Sequence, residues 1–182
     1  VKQLGREPDL VFLHNPEHSA PDAETLVRAC AVLADAVRAG LCRSWGISTW
    51  DPRPLNGFDV PRPGVLMVRA GLLVGADVLA SAEALVTRWR PSRVWGMSPF
   101  GGSTAQEVWE RFDPRIFLRG SPPATKAQAA FASAHRLPRV KAVAVGTDNA
   151  DHLRELVEAL AYEVDGTVVR EYRRLLGARQ GA

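Results

Sequence analysis

Several short segments carry side chains that can move a proton or hold a polar ligand. His14 follows the apolar run Asp9-Leu10-Val11-Phe12-Leu13. An imidazole there can act as acid or base near neutral pH. It can equally be a histidine whose ring is hydrogen-bonded to backbone at a strand end. Ser48 and Thr49 end a second apolar run and can bind an amide or carboxylate, or make ordinary turn contacts. Arg69 follows a third run, where it can hold an anionic substrate or enter a rim salt bridge. Ser98 to Ser103 includes Gly101-Gly102, a loop able to cradle phosphate or to serve only as a flexible connection. Gly146-Thr147 precedes a helix start near Asn149, where backbone N–H groups face outward. Asp148 and Asp151 suit capping of that helix better than a metal site. Trp45, Trp50, Trp95 and Trp109 can line a pocket for an aromatic ligand, although core packing is the commoner use.

The elements that must position these groups alternate. Apolar runs at 9–13, 44–48, 65–68, 93–97 and 143–145 read as buried strands. Between and after them lie amphipathic stretches. Pro21-Asp22-Ala23-Glu24 opens the first helix, with Leu26, Cys30, Leu33 and Val37 at helical spacing and Gly40 as its stop. Further helices are expected near 76–88, 125–136, 150–161 and 168–176. Strands followed by helices in series imply a parallel sheet, because each parallel connection needs a crossover. His14, Ser48, Ser98 and Gly146-Thr147 then all fall at C-terminal strand ends, the functional rim of (β/α) barrels. Five such units fit either an open sheet or part of a barrel, and pattern alone does not choose.

The chain has 182 residues, 46% hydrophobic and 24% charged, which is ordinary for one globular domain spanning residues 1–182. It is short for a complete (β/α)₈ barrel of about 250 residues. A net charge of +3 without a basic stripe or aromatic platform argues against nucleic-acid binding. Charges interrupt every long apolar stretch, so no membrane span is expected. Two isolated cysteines, Cys30 and Cys42, form no metal-ligand pair and suit a reducing compartment. With no leader pattern, a cytoplasmic protein is expected. Val1 reads as a processed or alternative start, or as the edge of a fragment.

Four segments together resemble the aldo-keto reductase family. Asp9-Leu10-Val11-Phe12-Leu13-His14-Asn15-Pro16 is similar to its fourth strand and active-site histidine. Gly40 to Trp50, containing Ser44-Trp45-Gly46-Ile47-Ser48-Thr49, resembles its fifth strand. Trp95-Gly96-Met97-Ser98-Pro99-Phe100-Gly101 resembles its seventh, and Val145 to Leu156 resembles its eighth-strand cofactor loop. The resemblance covers nearly the whole chain and implies an α/β fold: an incomplete TIM-type barrel of about five parallel strands, units four to eight, with outer helices.

For the site, the resemblance implies His14 as the catalytic residue that orients a substrate carbonyl. It implies NADP(H), with no metal, near Ser48, Thr49, Met67, Met97, Ser98, Gly146, Thr147, His152 and Glu155. Trp50 and Arg69 would meet substrate. Five positions depart from the family's pattern. Thr49 stands for asparagine, Met67 for glutamine, Met97 for the tyrosine that stacks on nicotinamide, His152 for arginine, and Leu156 for the adenine-binding asparagine. The family's tyrosine acid and its lysine and aspartate partners belong to the first three strand units. The implied activity is NAD(P)H-dependent reduction of a small carbonyl substrate, impaired or altered in this chain. The alternatives are non-redox acid–base catalysis by His14, as an isomerase, cyclase or dehydratase, and a non-catalytic binding protein or subunit. Uncovered sheet edges predict a homodimer, or a partner chain that completes the sheet.

Overall fold

The computed structural model describes residues 5–19 and 22–180. Five strands, β1 (Val11–His14), β2 (Trp45–Thr49), β3 (Val65–Arg69), β4 (Arg93–Met97) and β5 (Ala142–Ala144), form one parallel sheet in sequential order. Six helices accompany them: α1 (Ala23–Arg38), α2 (Ala76–Trp89), α3 (Val108–Arg111), α4 (Lys126–Ala134), α5 (Ala150–Glu158) and α6 (Gly166–Gln180). This is the expected incomplete (β/α) barrel. β1 begins two residues later than its apolar run suggests and includes His14. β3 includes Arg69, and β5 ends one residue before Val145. The predicted helix start at Pro21 lies outside the described residues. α3 and four short 3₁₀ turns carry no periodicity that would have announced them.

The chain divides into two compact units. The first comprises Val1–Val68 and Ala80–Trp95, the second Arg69–Leu79 and Gly96–Ala182. In the first unit, Asp22 caps α1 by accepting from Thr25 N at 2.7 Å. α1 ends at Gly40, φ 68°, where Leu41 N donates to Ala36 O and Gly40 N to Val37 O, a Schellman closure. Leu26 and Cys30 then face Ile47 of β2, Leu66 and Val68 of β3, and Leu85 of α2 in one buried cluster. Ile47, Leu66 and Val68 share a sheet face because side chains alternate along strands and parallel register aligns them.

On the opposite face the first unit is held by an absence. Phe12, Gly46 and Val65 are successive register partners. A Cβ at Gly46 would sit 2.5 Å from Val65 O and 2.9 Å from the Phe12 ring. Phe12 covers that space and meets Trp95 edge-on, centroids 6.1 Å apart.

The second unit packs around Leu72, Leu79, Trp109, Phe117, Ala130 and Leu137. Thr125 and Gln128 form a capping box at the start of α4. Phe117 and Tyr172 meet edge-on at 5.2 Å, and Tyr172 Oη donates to Leu72 O. Among the described residues, no helix is long and apolar enough to cross a membrane.

Gly46→Ala forces the β3 backbone or the Phe12 ring to move. It is expected to destabilise the protein by about 1–3 kcal/mol, the usual cost of overpacking. Urea unfolding monitored by circular dichroism measures the loss, and a midpoint unchanged from wild type would contradict the packing described.

Candidate active site

The first unit contributes a row of three side chains. His14, Ser48 and Met67 are register partners at the C-terminal ends of β1, β2 and β3. Parallel register directs all three to the same face, the one that carries Phe12 and Gly46. His14 Nδ1 lies 2.7 Å from Ser48 Oγ. Asn15, at φ 46°, continues the ladder by donating its backbone N–H to Ser48 O at 2.7 Å. His14 is exposed, Met67 half-buried and Ser48 fully buried. The arrangement can present an imidazole to solvent with one nitrogen committed to a serine.

Thr49 is not part of this row. It pairs with Val68 and shares its face, it is 0% exposed, and its hydroxyl has no hydrogen-bond partner among the described residues. Trp50 follows on the loop and is 39% exposed, in contrast to the buried Trp45. That loop is anchored by Glu17, whose Oε1 accepts from Trp50 N at 2.7 Å and Asp51 N at 3.0 Å. Glu17 was not anticipated, since a glutamate three positions after a strand-end histidine has no distinctive spacing signal. Cys30 is buried against the core, and burial pushes its thiol up to about 11, so it holds no thiolate near neutral pH.

The second unit assembles the other predicted positions. Arg69 is half-buried at the end of β3, and Met97 ends β4, where its carbonyl accepts from Ala70 N. Ser98 takes φ 55°, Gly101 71° and Gly102 120°, which turns the chain sharply. Trp109 Nε1 donates to Phe100 O and Ser103 O, both at 3.2 Å, and Gln106 Nε2 donates to Gly101 O at 2.8 Å. These ties define the glycine loop, and Trp109 is thereby a structural residue. Ser98 and Gly146 line a small cavity of about 110 Å³. Beside it a groove of about 310 Å³ brings Gly102, Ser103 and Thr104 together with Gly146, Thr147, His152 and Glu155.

The groove's far wall is the start of α5. Asn149 caps it by accepting from Asp151 N at 2.8 Å, which corrects the expectation that Asp148 and Asp151 cap it; Asp151 pairs instead with Arg154. Thr147 Oγ1 accepts from Asn149 N at 3.1 Å. Gln128, buried, donates from Nε2 to Glu155 O at 3.2 Å and so joins α4 to α5. Leu156 is buried with Phe131 and Ala159 and forms the apolar floor. The loop and the helix start thus frame a groove lined by one imidazole, His152, and one carboxylate residue, Glu155. Tyr162 and Tyr172 both pack into the second unit's core. Among the described residues, no cluster of three or more His, Cys, Asp or Glu side chains is arranged to hold a metal ion.

No protein-family model and no curated protein matches the chain. Solved structures do, and they share its fold. A thermostable aldo-keto reductase solved with the inhibitor epalrestat superposes with a TM-score of 0.66 at 24% identity, over 97% of this chain and 62% of its own. An aldo-keto reductase from Klebsiella pneumoniae solved with NADPH gives 0.67 at 19%, over 96% and 61%. A Bacillus halodurans aldo-keto reductase in its holo form gives 0.65 at 16%, over 96% and 63%. The chain therefore has the fold of part of an aldo-keto reductase barrel, and it spans about three-fifths of the length of these matched proteins.

Glu17→Ala removes the acceptor shared by two backbone amides. Hydrogen bonds to a charged group contribute about 1.5–3 kcal/mol. Amide exchange at Trp50 and Asp51 is expected to accelerate about tenfold or more while the β2 amides keep their protection. Unchanged exchange at both residues would show that Glu17 does not hold the loop.

Proposed function

We propose that this chain supplies the substrate-orienting histidine and the adenylate-binding groove of a carbonyl-reducing oxidoreductase of the aldo-keto reductase type. The observation that carries the reading is the groove of the second unit, where the glycine loop and the α5 start meet around Gly146 and Thr147. A phosphate group there would lie at the positive end of α5. His152 adds a donor, and Phe100, Ala127 and Leu156 offer an apolar surface for a purine. The NADPH complex of one structural relative supports the same cofactor.

The residues fit the two halves of that cofactor unequally. The adenylate half would meet the positive end of α5, His152 and an apolar floor. By the family alignment Met67 and Met97 stand at the nicotinamide contacts, and neither can hydrogen-bond a carboxamide or stack an aromatic ring. The cofactor's chemistry, when bound, is hydride donation. The chain's own contribution is His14, which orients the substrate oxygen. The proton donor has to come from the first three strand units of the barrel, whether on the same polypeptide or on a partner. Two buried free cysteines are compatible with a cytoplasmic setting.

The test separates the halves. Adenosine bisphosphate, the adenylate half of NADPH, is expected to shift the amide resonances of residues 102–104 and 146–152. Nicotinamide mononucleotide is expected to shift none. Intact NADPH should bind the chain more weakly than micromolar, about −8 kcal/mol. Absence of any shift in the groove would remove the cofactor reading and leave non-redox acid–base catalysis at His14.

With a substrate in hand, His14→Ala is expected to lower turnover by about 10²–10⁴-fold, the usual range for a positioned acid or base. Wild-type turnover in a folded variant would exclude His14 from the mechanism.

The sheet ends at β1 and β5, and edge strands with open N–H and C=O groups favour pairing with another chain. Light scattering of the chain should therefore give a dimer or larger. A monomer at tens of micromolar, by order of magnitude a concentration at which weak interfaces already associate, would contradict this.

A further inference from the structure

His14 touches two side chains whose demands on its ring are linked. Its Nδ1 lies 2.7 Å from Ser48 Oγ, and its Nε2 lies 3.3 Å from Asn15 Nδ2. A neutral imidazole has one N–H and one lone pair, so the two contacts are not independent. With an Asn15 N–H donating to Nε2, the ring proton sits on Nδ1 and is donated to Ser48 Oγ. With the amide turned over, Nε2–H would donate to the Asn15 oxygen, and the Ser48 hydroxyl would donate to Nδ1.

The far end of the Asn15 amide decides between them. Asn15 Oδ1 is buried and has no partner among the described residues. Turning the amide over would put an NH₂ group, with two hydrogens to satisfy, in the same enclosed spot. A buried orphan N–H is tolerated less well than a carbonyl oxygen with spare lone pairs. The backbone leaves the side chain little choice of position. Asn15 is in the left-handed region at φ 46°, a conformation that asparagine adopts readily, and its own N–H is fixed to Ser48 O.

We infer that Asn15 is a positioning residue that holds neutral His14 in its Nδ1–H tautomer and leaves Nε2 as a hydrogen-bond acceptor. The Ser48 contact is short and half-buried, whereas the Asn15 contact is long and exposed. A ligand that displaces Asn15 also releases the tautomer, because the Ser48 hydroxyl can accept from Nδ1–H or donate to a bare Nδ1. The inference therefore concerns the resting ring. It does not rest on the proposed role of His14, and it is measured without substrate.

Long-range nitrogen–proton NMR on the full chain reads the tautomer, at a pH above about 8 where an ordinary imidazole is neutral. Wild type is expected to show a protonated, pyrrole-like Nδ1 and a pyridine-like Nε2. Asn15→Asp leaves only an acceptor beside Nε2 and should reverse the two assignments. Asn15→Gly removes the donor and should lower the Nδ1–H fraction. Both replacements adopt the left-handed backbone readily, and matching amide spectra confirm folding. An Nε2–H wild type, or a tautomer unmoved by Asn15→Asp, overturns the inference. The turnover of His14→Ala tests the separate question of whether the ring acts on substrate.

Discussion

The parallel register of β1, β2 and β3 is the constraint on which the first unit's chemistry depends. It sets Phe12 beside Gly46 and Gly46 beside Val65, with no room for another atom at the middle position. Two residues further along, the same register sets His14 beside Ser48 and Ser48 beside Met67. A slip of one residue would exchange the two faces of a strand. It would drive Ile47 out of the helix-facing core and turn Ser48 away from the imidazole. The core and the candidate site are thus two readings of one alignment. Leu26, Leu66 and Leu85, on the helix-facing side, fix the direction of a histidine they never touch.

The second unit reaches its site differently. There side chains serve to hold the backbone in place. Trp109 and Gln106 restrain the glycine loop through its carbonyls, and Gln128 ties α4 to Glu155. Side-chain replacement at the groove surface therefore costs less than loss of a tie behind it. Gly101 at φ 71° and Gly102 at φ 120° take backbone conformations that glycine adopts without strain, so the turn depends on them directly.

Five strands, their order and the major helices were legible because apolar runs and helical spacing are periodic signals. The spacing of Leu26, Cys30, Leu33 and Val37 named the buried side of α1, and Gly40 its end. Boundaries slipped by one or two residues where strand pairing, not hydrophobicity, sets them. Asp9 and Leu10 continue the apolar-run reading but lie before the β1 ladder, and His14 is drawn into it by Ser48. The rim positions were legible from the strand ends and the resemblance together, but the contacts that define them were not. Thr49 looked equivalent to Ser48 in the string, but alternation turned it to the opposite face. Asp148 and Asp151 were sound capping candidates, yet Asn149 sits where its side chain reaches the first free N–H. Thr125 and Gln128 form the capping box of α4 at the helix start expected near 125. Glu17, Gln106 and Asn15 act through partners between five and 34 residues away or through a single backbone angle, and no periodicity encodes such contacts.

Each candidate site is held by contacts within its own unit. His14 takes its orientation from Ser48 and from the residue that follows it in sequence, both within the first unit. The groove's ties run among Phe100, Ser103, Gln106, Trp109, Gln128 and Glu155, all in the second unit. The strand ends of the first unit stay in register through backbone pairing, and the glycine loop of the second is held through Trp109 and Gln106, so each arrangement rests on contacts of its own.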